Sequence, residues 1–369
     1  MPKRILAPVC LALLTACSQH GGDNSAAPTG DDSLTVEVML RTTPVLDQGD
    51  SDMCWLYAML ATIETEHIMR GDSIHLSPAY VARQFLAEQA RAQYASGGKH
   101  RVNRRGMMTL TPKLLDLYGA MPYTSYRGYD NISYDALTAQ LQRTADRCLA
   151  QHTGIARLDD DTQQILESAI GPAPLWVFML GCQYTPREFA HSVCRPGEYV
   201  ALTSFTHHPF GAPCVLEVPD NTAHDIFINV PLDSMMHYVE HALRSGHPVC
   251  WEGDITDDGF DAERGNARLT GTPSKVTQQQ RQHDFDEGAT TDDHNMAIVG
   301  IARSKDGRKH FICKNSWGDN ARRGFIMMDE NYARLRTVAV MMAAEALPAA
   351  DHFAAMQPTP LDDLPDIGY

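Results

Sequence analysis

The chain has 369 residues, 43% of them hydrophobic, 21% charged and 8% aromatic. That is globular composition, which excludes wholesale disorder and coiled coil and leaves ample length to bury a core. Forty-six acidic against 31 basic residues give a formal charge of -15, and an acidic surface repels phosphates, which argues against nucleic acid as a partner. Nine cysteines are too few for a disulfide scaffold at this length, and beyond the N-terminus no run of about 18 apolar residues suggests a membrane span.

Lys3 and Arg4 precede an apolar stretch over 5–14, followed by Leu14-Thr15-Ala16-Cys17. A short charged region before a short apolar one describes an export signal over 1–17 and not a membrane helix. Its last four residues resemble a bacterial lipobox, which implies lipidation of Cys17 and a lipid bilayer as partner. The expected localisation is the bacterial cell envelope, and Ser18 in place of an aspartate favours the outer membrane by analogy. Residues 18–33, rich in Gly, Ser, Asp and Pro, read as a flexible tether. Setting Cys10 and Cys17 aside leaves cysteines 54, 148, 182, 194, 214, 250 and 313. An odd number points to at least one free thiol and leaves up to three disulfides open; Cys250 and Cys313 lie in apolar runs and read as buried.

A folded unit over 34–345 divides into a mainly helical part, 34–198, and a mainly β part, 199–345, with a tail over 346–369. Helices are predicted over 54–69, where Trp55, Ala58, Met59, Thr62, Ile63 and Ile68 keep helical spacing, and over 78–94, opened by Ser77-Pro78. After a basic, glycine-containing loop at 97–105, Thr111-Pro112 opens a helix that stops at Gly119. Further helices are expected over 134–152 and 162–170. Strands are then expected at 199–202, 214–218, 249–252, 296–302, 310–314 and 324–328, with one helix at 232–244. The polar, acidic 254–293 reads as a surface loop. Helices first and strands later define an α+β chain with two lobes.

Three islands carry chemistry. In Gln48-Gly49-Asp50-Ser51-Asp52-Met53-Cys54-Trp55, a cysteine at a helix start has its thiolate favoured by the helix dipole and unpaired N–H groups. Gln48, six residues earlier, is placed to donate a side-chain N–H to an oxyanion. Asp292-Asp293-His294-Asn295 leads a histidine into an apolar strand, and Lys314-Asn315-Ser316-Trp317-Gly318 ends the next one. Adjacent strands can set the asparagine carbonyl on one imidazole nitrogen while the other faces the thiol. Nucleophile, base and orienting group thus follow in the order of Cys-His-Asn catalysis.

These islands resemble the papain-like cysteine peptidases, specifically the bleomycin hydrolase/aminopeptidase C branch, and the similarity covers most of 38–347. Leu76-Ser77-Pro78-Ala79-Tyr80, Gly106 with Tyr118-Gly119-Ala120-Met121-Pro122, Gly171-Pro172-Ala173-Pro174, Tyr184-Thr185-Pro186-Arg187-Glu188-Phe189, Pro231-Leu232 and Gly246-His247-Pro248-Val249 carry it beyond the triad. The resemblance implies a helical lobe and an antiparallel β-barrel-like lobe with the cleft between them. It implies Cys54 as nucleophile, His294 as base and acid, Asn315 as orienting group and Gln48 as oxyanion donor. Gly106 would form the substrate wall, with Trp317 beside the site.

Several departures stand out. Arg105 occupies the place of a second wall glycine and would reshape the adjoining subsite, and Asn295 stands where the family usually has alanine. The chain is also shorter than typical members, which leaves the oligomeric state open. In this branch the C-terminal residues block the cleft and confer aminopeptidase specificity. Here a longer acidic tail ends at Tyr369, where Asp362, Asp363 or the terminal carboxylate could meet a substrate's α-ammonium.

His237-Tyr238-Val239-Glu240-His241 spells an inverted zinc-peptidase motif. Met235, Met236, Val239 and Leu243 form the helix's apolar face, however, so the two histidines, Glu240 and Arg244 read as a solvated face with an ordinary i,i+4 pair. His207 and His208 lack ligand spacing. Asp292 and Asp293 could raise the basicity of His294 by proximity, although acidic loop residues in solvent is the reading favoured. The expectation is an exported cysteine peptidase acting on peptide or protein substrates, an aminopeptidase before an open-groove endopeptidase. No cofactor or metal is implied. An acyl-transferase or amidase on the same triad, and a silent surface-tethered binding protein, are the rival readings.

Overall fold

The computed structural model describes residues 34–179, 181–271 and 275–348. The export signal with Cys17, the tether and the tail beyond residue 348, including Asp362, Asp363 and Tyr369, lie outside the described residues.

The helical part is built where capping and apolar spacing agree. Helix Cys54–Arg70 ends at Gly71, whose φ of 100° provides the left-handed turn a β-carbon would oppose. Helix Pro78–Ala95 has proline in its first turn, and the Ser77 hydroxyl accepts from the Tyr80 N–H at 3.0 Å. Helices Leu110–Tyr118 and Tyr134–Ala150 follow. The next helix, Ile155–Ala169, begins seven residues before the predicted start. Leu158, Thr162 and Leu166 are buried at four-residue spacing, and the acidic run 159–161 between the first two hid that period.

The β part is one sheet. Its path runs from Pro213–Val215 through Ile226–Asn229, Tyr199–Thr203, Thr337–Ala343, Val249–Gly253, His294–Arg303, Lys309–Lys314, Phe325–Asp329 and Asn266–Ala267 to Phe260–Asp261, with Thr35–Met39 paired to His294–Arg303. Most pairs are antiparallel, but Tyr199–Thr203 with Ile226–Asn229, and Phe325–Asp329 with Asn266–Ala267, run parallel. Among the described residues the sheet is an open path ending in short strands, so the lobe is not a closed antiparallel barrel.

The acidic 254–293 stretch is not a plain loop. It contributes two sheet strands and helix Gln278–Asp286, whose capping box joins Thr277 and Gln280. From that helix the buried Arg281 donates to the Ser204 carbonyl at 2.8 Å and the Arg334 carbonyl at 3.2 Å. The seven cysteines from 54 to 313 are all free, six of them buried. None of the three disulfides left open is formed among these seven, and the six buried thiols pack as small apolar groups. No described helix is long and apolar enough to cross a membrane.

Candidate active site

Cys54 opens its helix, and strand His294–Arg303 packs across that helix. The contact is made at the strand's first residues, where the Asn295 Nδ2 lies 3.9 Å from the Cys54 Sγ, a weak sulfur contact. His294 Nε2 meets Asn315 Oδ1 at 2.7 Å. Strand register brings the two near each other, because Ala297 pairs with Lys314 and Asn315 directly follows the end of that neighbouring strand. With Nε2 engaged, Nδ1 is the nitrogen left for the thiol. The Trp317 ring lies 4.4 Å from the imidazole and screens the His294–Asn315 bond from water.

Gln48 is fixed from the same segment. Its backbone N–H donates to the Ser316 carbonyl at 2.8 Å, and the Ser316 hydroxyl donates to its Oε1 at 2.6 Å. In this orientation the Nε2 end of the amide is left to donate elsewhere. A second link joins the lobes beneath the site. Lys314 Nζ donates to Thr43 Oγ1 at 2.8 Å, and that hydroxyl donates to Glu64 on the Cys54 helix at 2.5 Å.

Burial keeps the central pair neutral. It pushes the Cys54 thiol up to about 12, with the charge of Glu252 adding to the rise while N–H groups of Asn295 and Trp55 oppose it. Burial also pulls His294 down to about 4 against the opposing hydrogen bond of Asn315. Neither aspartate before the histidine contributes to that balance. Asp292 is buried and accepts from the Asp220 backbone N–H at 2.7 Å, while Asp293 accepts from the Thr291 hydroxyl at 2.8 Å. The solvated reading is therefore corrected for Asp292, and both carboxylates are engaged by groups other than the imidazole.

Gly106 is buried, and a β-carbon there would meet Leu110 at 3.1 Å and the Trp55 ring at 3.3 Å. Arg105 is exposed and pairs with Asp220 at 2.8 Å. Glu252, on the strand beside His294–Arg303, is fully buried, and neither of its carboxylate oxygens has a hydrogen-bond partner. Sequence reasoning singled out neither Ser316 nor Glu252. Ser316 stood inside the Asn-Ser-Trp-Gly island, whereas only the sheet register reveals the neighbours of Glu252. In the inverted zinc-motif segment, Glu240 is held by Lys309 at 2.7 Å and Arg244 at 2.8 Å, and His241 Nδ1 meets the Ala346 carbonyl at 3.0 Å.

A helix-start thiol touched by the strand residue that follows a histidine, with that histidine on an asparagine, between a helical part and a sheet, is the arrangement of the papain-like class. The chain belongs to the Peptidase C1-like family, whose model matches residues 179–365; it is a cysteine peptidase. It is similar to Aminopeptidase W of Lactobacillus delbrueckii subsp. lactis, 22% identical over 373 residues that cover 85% of this chain and 84% of the relative. Its fold is similar to that of PepW from Lactobacillus rhamnosis, with a TM-score of 0.66 and 17% identity over 87% of this chain and 84% of that one.

Proposed function

We propose that the protein is an aminopeptidase in which Cys54, His294, Asn315 and Gln48 carry the chemistry. The observation that bears most weight is the joint placement of Asn295 on the Cys54 sulfur and of His294 Nε2 on Asn315. Similarity to Aminopeptidase W along most of both chains supports the exopeptidase choice.

Because thiol and imidazole are both neutral at rest, the first step is proton transfer from Sγ to His294 Nδ1 as Sγ attacks the scissile carbonyl. The Gln48 Nε2 and the Cys54 backbone N–H receive the developing oxyanion. His294 then returns its proton to the departing amine as the C–N bond breaks. Water hydrolyses the thioester, with His294 again taking the proton, and Asn315 holds the ring in register throughout.

Export and lipidation at Cys17 belong to the same proposal and rest on residues 3–17 of the sequence. A Cys17→Ala protein that still partitioned with membranes would contradict them. The peptidase proposal is tested by hydrolysis of free and N-blocked aminoacyl fluorogenic amides under reducing conditions. Cleavage confined to free-amine substrates and abolished by thiol alkylation is expected. Cleavage of blocked peptides alone would overturn the exopeptidase assignment.

A further inference from the structure

A basic groove opens where the tether enters the fold. It holds about 450 Å³ and lies between the turn 304–308, which joins strands His294–Arg303 and Lys309–Lys314, and the short strand Asn266–Ala267. Leu34, the first residue of the folded body, lines it half-buried, because Thr35 pairs with Arg303 directly before that turn. Three cations, Arg268, Lys305 and Arg308, stand exposed around it. The Asp306 carboxylate accepts from Arg308 Nε at 2.6 Å and also from the Ser304 hydroxyl. Among the described residues neither Arg268 nor Lys305 pairs with a carboxylate.

That charge is out of keeping with the chain as a whole, whose 46 acidic and 31 basic residues leave it at -15. Neighbouring cations on the same strands are matched: Arg303 shares Glu37 with Arg244, and Lys309 is held by Glu240 and Glu330. In the groove three cations face one carboxylate, and their mutual repulsion goes uncompensated. A phosphate would remove it, since guanidinium groups present paired donors to phosphate oxygens and lysine adds a point charge. The groove has the size of a small-molecule site, larger than one such ion fills, and Leu34 gives it an apolar side. Both features favour a phosphate attached to an apolar body over a free ion. Position favours one source. Residues 18–33 span at most ~55 Å when fully extended, so a bilayer anchored at Cys17 stays within reach, and along the chain the groove is the part of the folded body nearest to it.

We propose that this groove binds the headgroup phosphate of an anionic phospholipid, with Arg268, Lys305 and Arg308 on the phosphate and Leu34 against the start of an acyl chain. The inference goes beyond the peptidase reading and takes its bilayer from the proposed Cys17 anchor. An anchor alone leaves the folded body free to turn on its tether. Headgroup binding at the tether's root adds a second attachment and fixes which side of the sheet faces the bilayer. Because the cations are exposed, the contact weakens as salt screens it.

The test uses the full chain with soluble short-chain lipid, so that it reads the groove and not the anchor. Calorimetry measures binding of dihexanoyl phosphatidylglycerol below its critical micelle concentration, of dihexanoyl phosphatidylcholine and of inorganic phosphate. The proteins compared are wild type, Arg268→Gln/Lys305→Gln and Leu34→Ser. The proposal expects phosphatidylglycerol to bind at least tenfold more tightly than either other compound. That affinity should fall at least tenfold in the double variant and severalfold in Leu34→Ser, with peptidase turnover unchanged in both. Absence of binding to wild type, or an affinity unchanged in the double variant, would overturn the proposal. Inorganic phosphate binding as tightly as the lipid would also overturn it and assign the groove to a free anion. So would lipid binding that appears only after Asp31→Asn/Asp32→Asn, since the tether's own carboxylates would then be the occupant. Membrane partition of the Cys17→Ala protein decides the anchor separately, while lipid binding decides the groove.

Discussion

Exchanging Glu252 for glutamine keeps the side chain's shape and removes its ionisation, so the change isolates the electrostatic burden of one buried carboxyl. Burial, with Asp292 and Asp220 nearby, holds that carboxyl well above its ordinary value of 4.5. In the unfolded chain it titrates near the ordinary value. Below that pH both states keep the proton and the substitution is nearly neutral. As pH rises, the unfolded state releases its proton first, and the wild type loses stability relative to the variant by up to ~1.4 kcal/mol per pH unit until the folded carboxyl ionises too. Asp220, raised to about 6 chiefly by burial, acts in both proteins, so the difference between them is the quantity to follow. Guanidinium unfolding of wild type and Glu252→Gln at pH 4 and pH 7 provides it. The variant is expected to match the wild type at the lower pH and to exceed it at the higher. A difference that does not change with pH, or one that favours the wild type as pH rises, would refute the reasoning.

Gln48→Ala should lower kcat by on the order of 10²–10³ with little change in KM, as expected for loss of one oxyanion donor. Ser316→Ala, which only frees the Gln48 amide to turn, should fall between that variant and wild type. The pH profile of kcat/KM on a free-amine aminoacyl amide, whose ammonium stays charged over this range, should lose activity as pH falls through about 4, where His294 takes a proton. Asn315→Ala should move that limb lower still, since its hydrogen bond raises the imidazole. Removing residues 349–369 should admit N-blocked peptides if the tail closes the cleft, measured as the ratio of blocked to free-amine turnover; an unchanged ratio would exclude that role.

Much of the site was legible because its residues announce themselves locally. Cys54 follows a loop and opens an apolar helix, Ser77-Pro78 caps the next one, and the 232–244 helix was found at both ends. Other signals were present but unused. Thr185 with Glu188 and Thr277 with Gln280 form capping boxes that open helices Pro186–Val193 and Gln278–Asp286. The second opens a helix with almost no apolar face, so periodicity could not reveal it. Strand Thr337–Ala343 is a continuous apolar run directly after helix Glu330–Arg336, without a turn residue to mark the change. What no local pattern holds is register. Glu252 read as the polar end of a strand until its pairing with Asn295 placed it beside the sulfur, and the Lys314–Thr43–Glu64 link joins segments far apart in the chain.

The central claim is that Cys54 forms the covalent bond with the substrate. Turnover of leucine 7-amido-4-methylcoumarin by wild-type and Cys54→Ala proteins, matched in fold by circular dichroism, tests it most directly, with mass spectrometry after treatment with a thiol-reactive epoxide as the covalent readout. The account predicts complete loss of turnover in the variant and a single adduct on Cys54 in the wild type, made ahead of the six other thiols among the described residues. Full turnover without Cys54, or an adduct only elsewhere with activity retained, would contradict it.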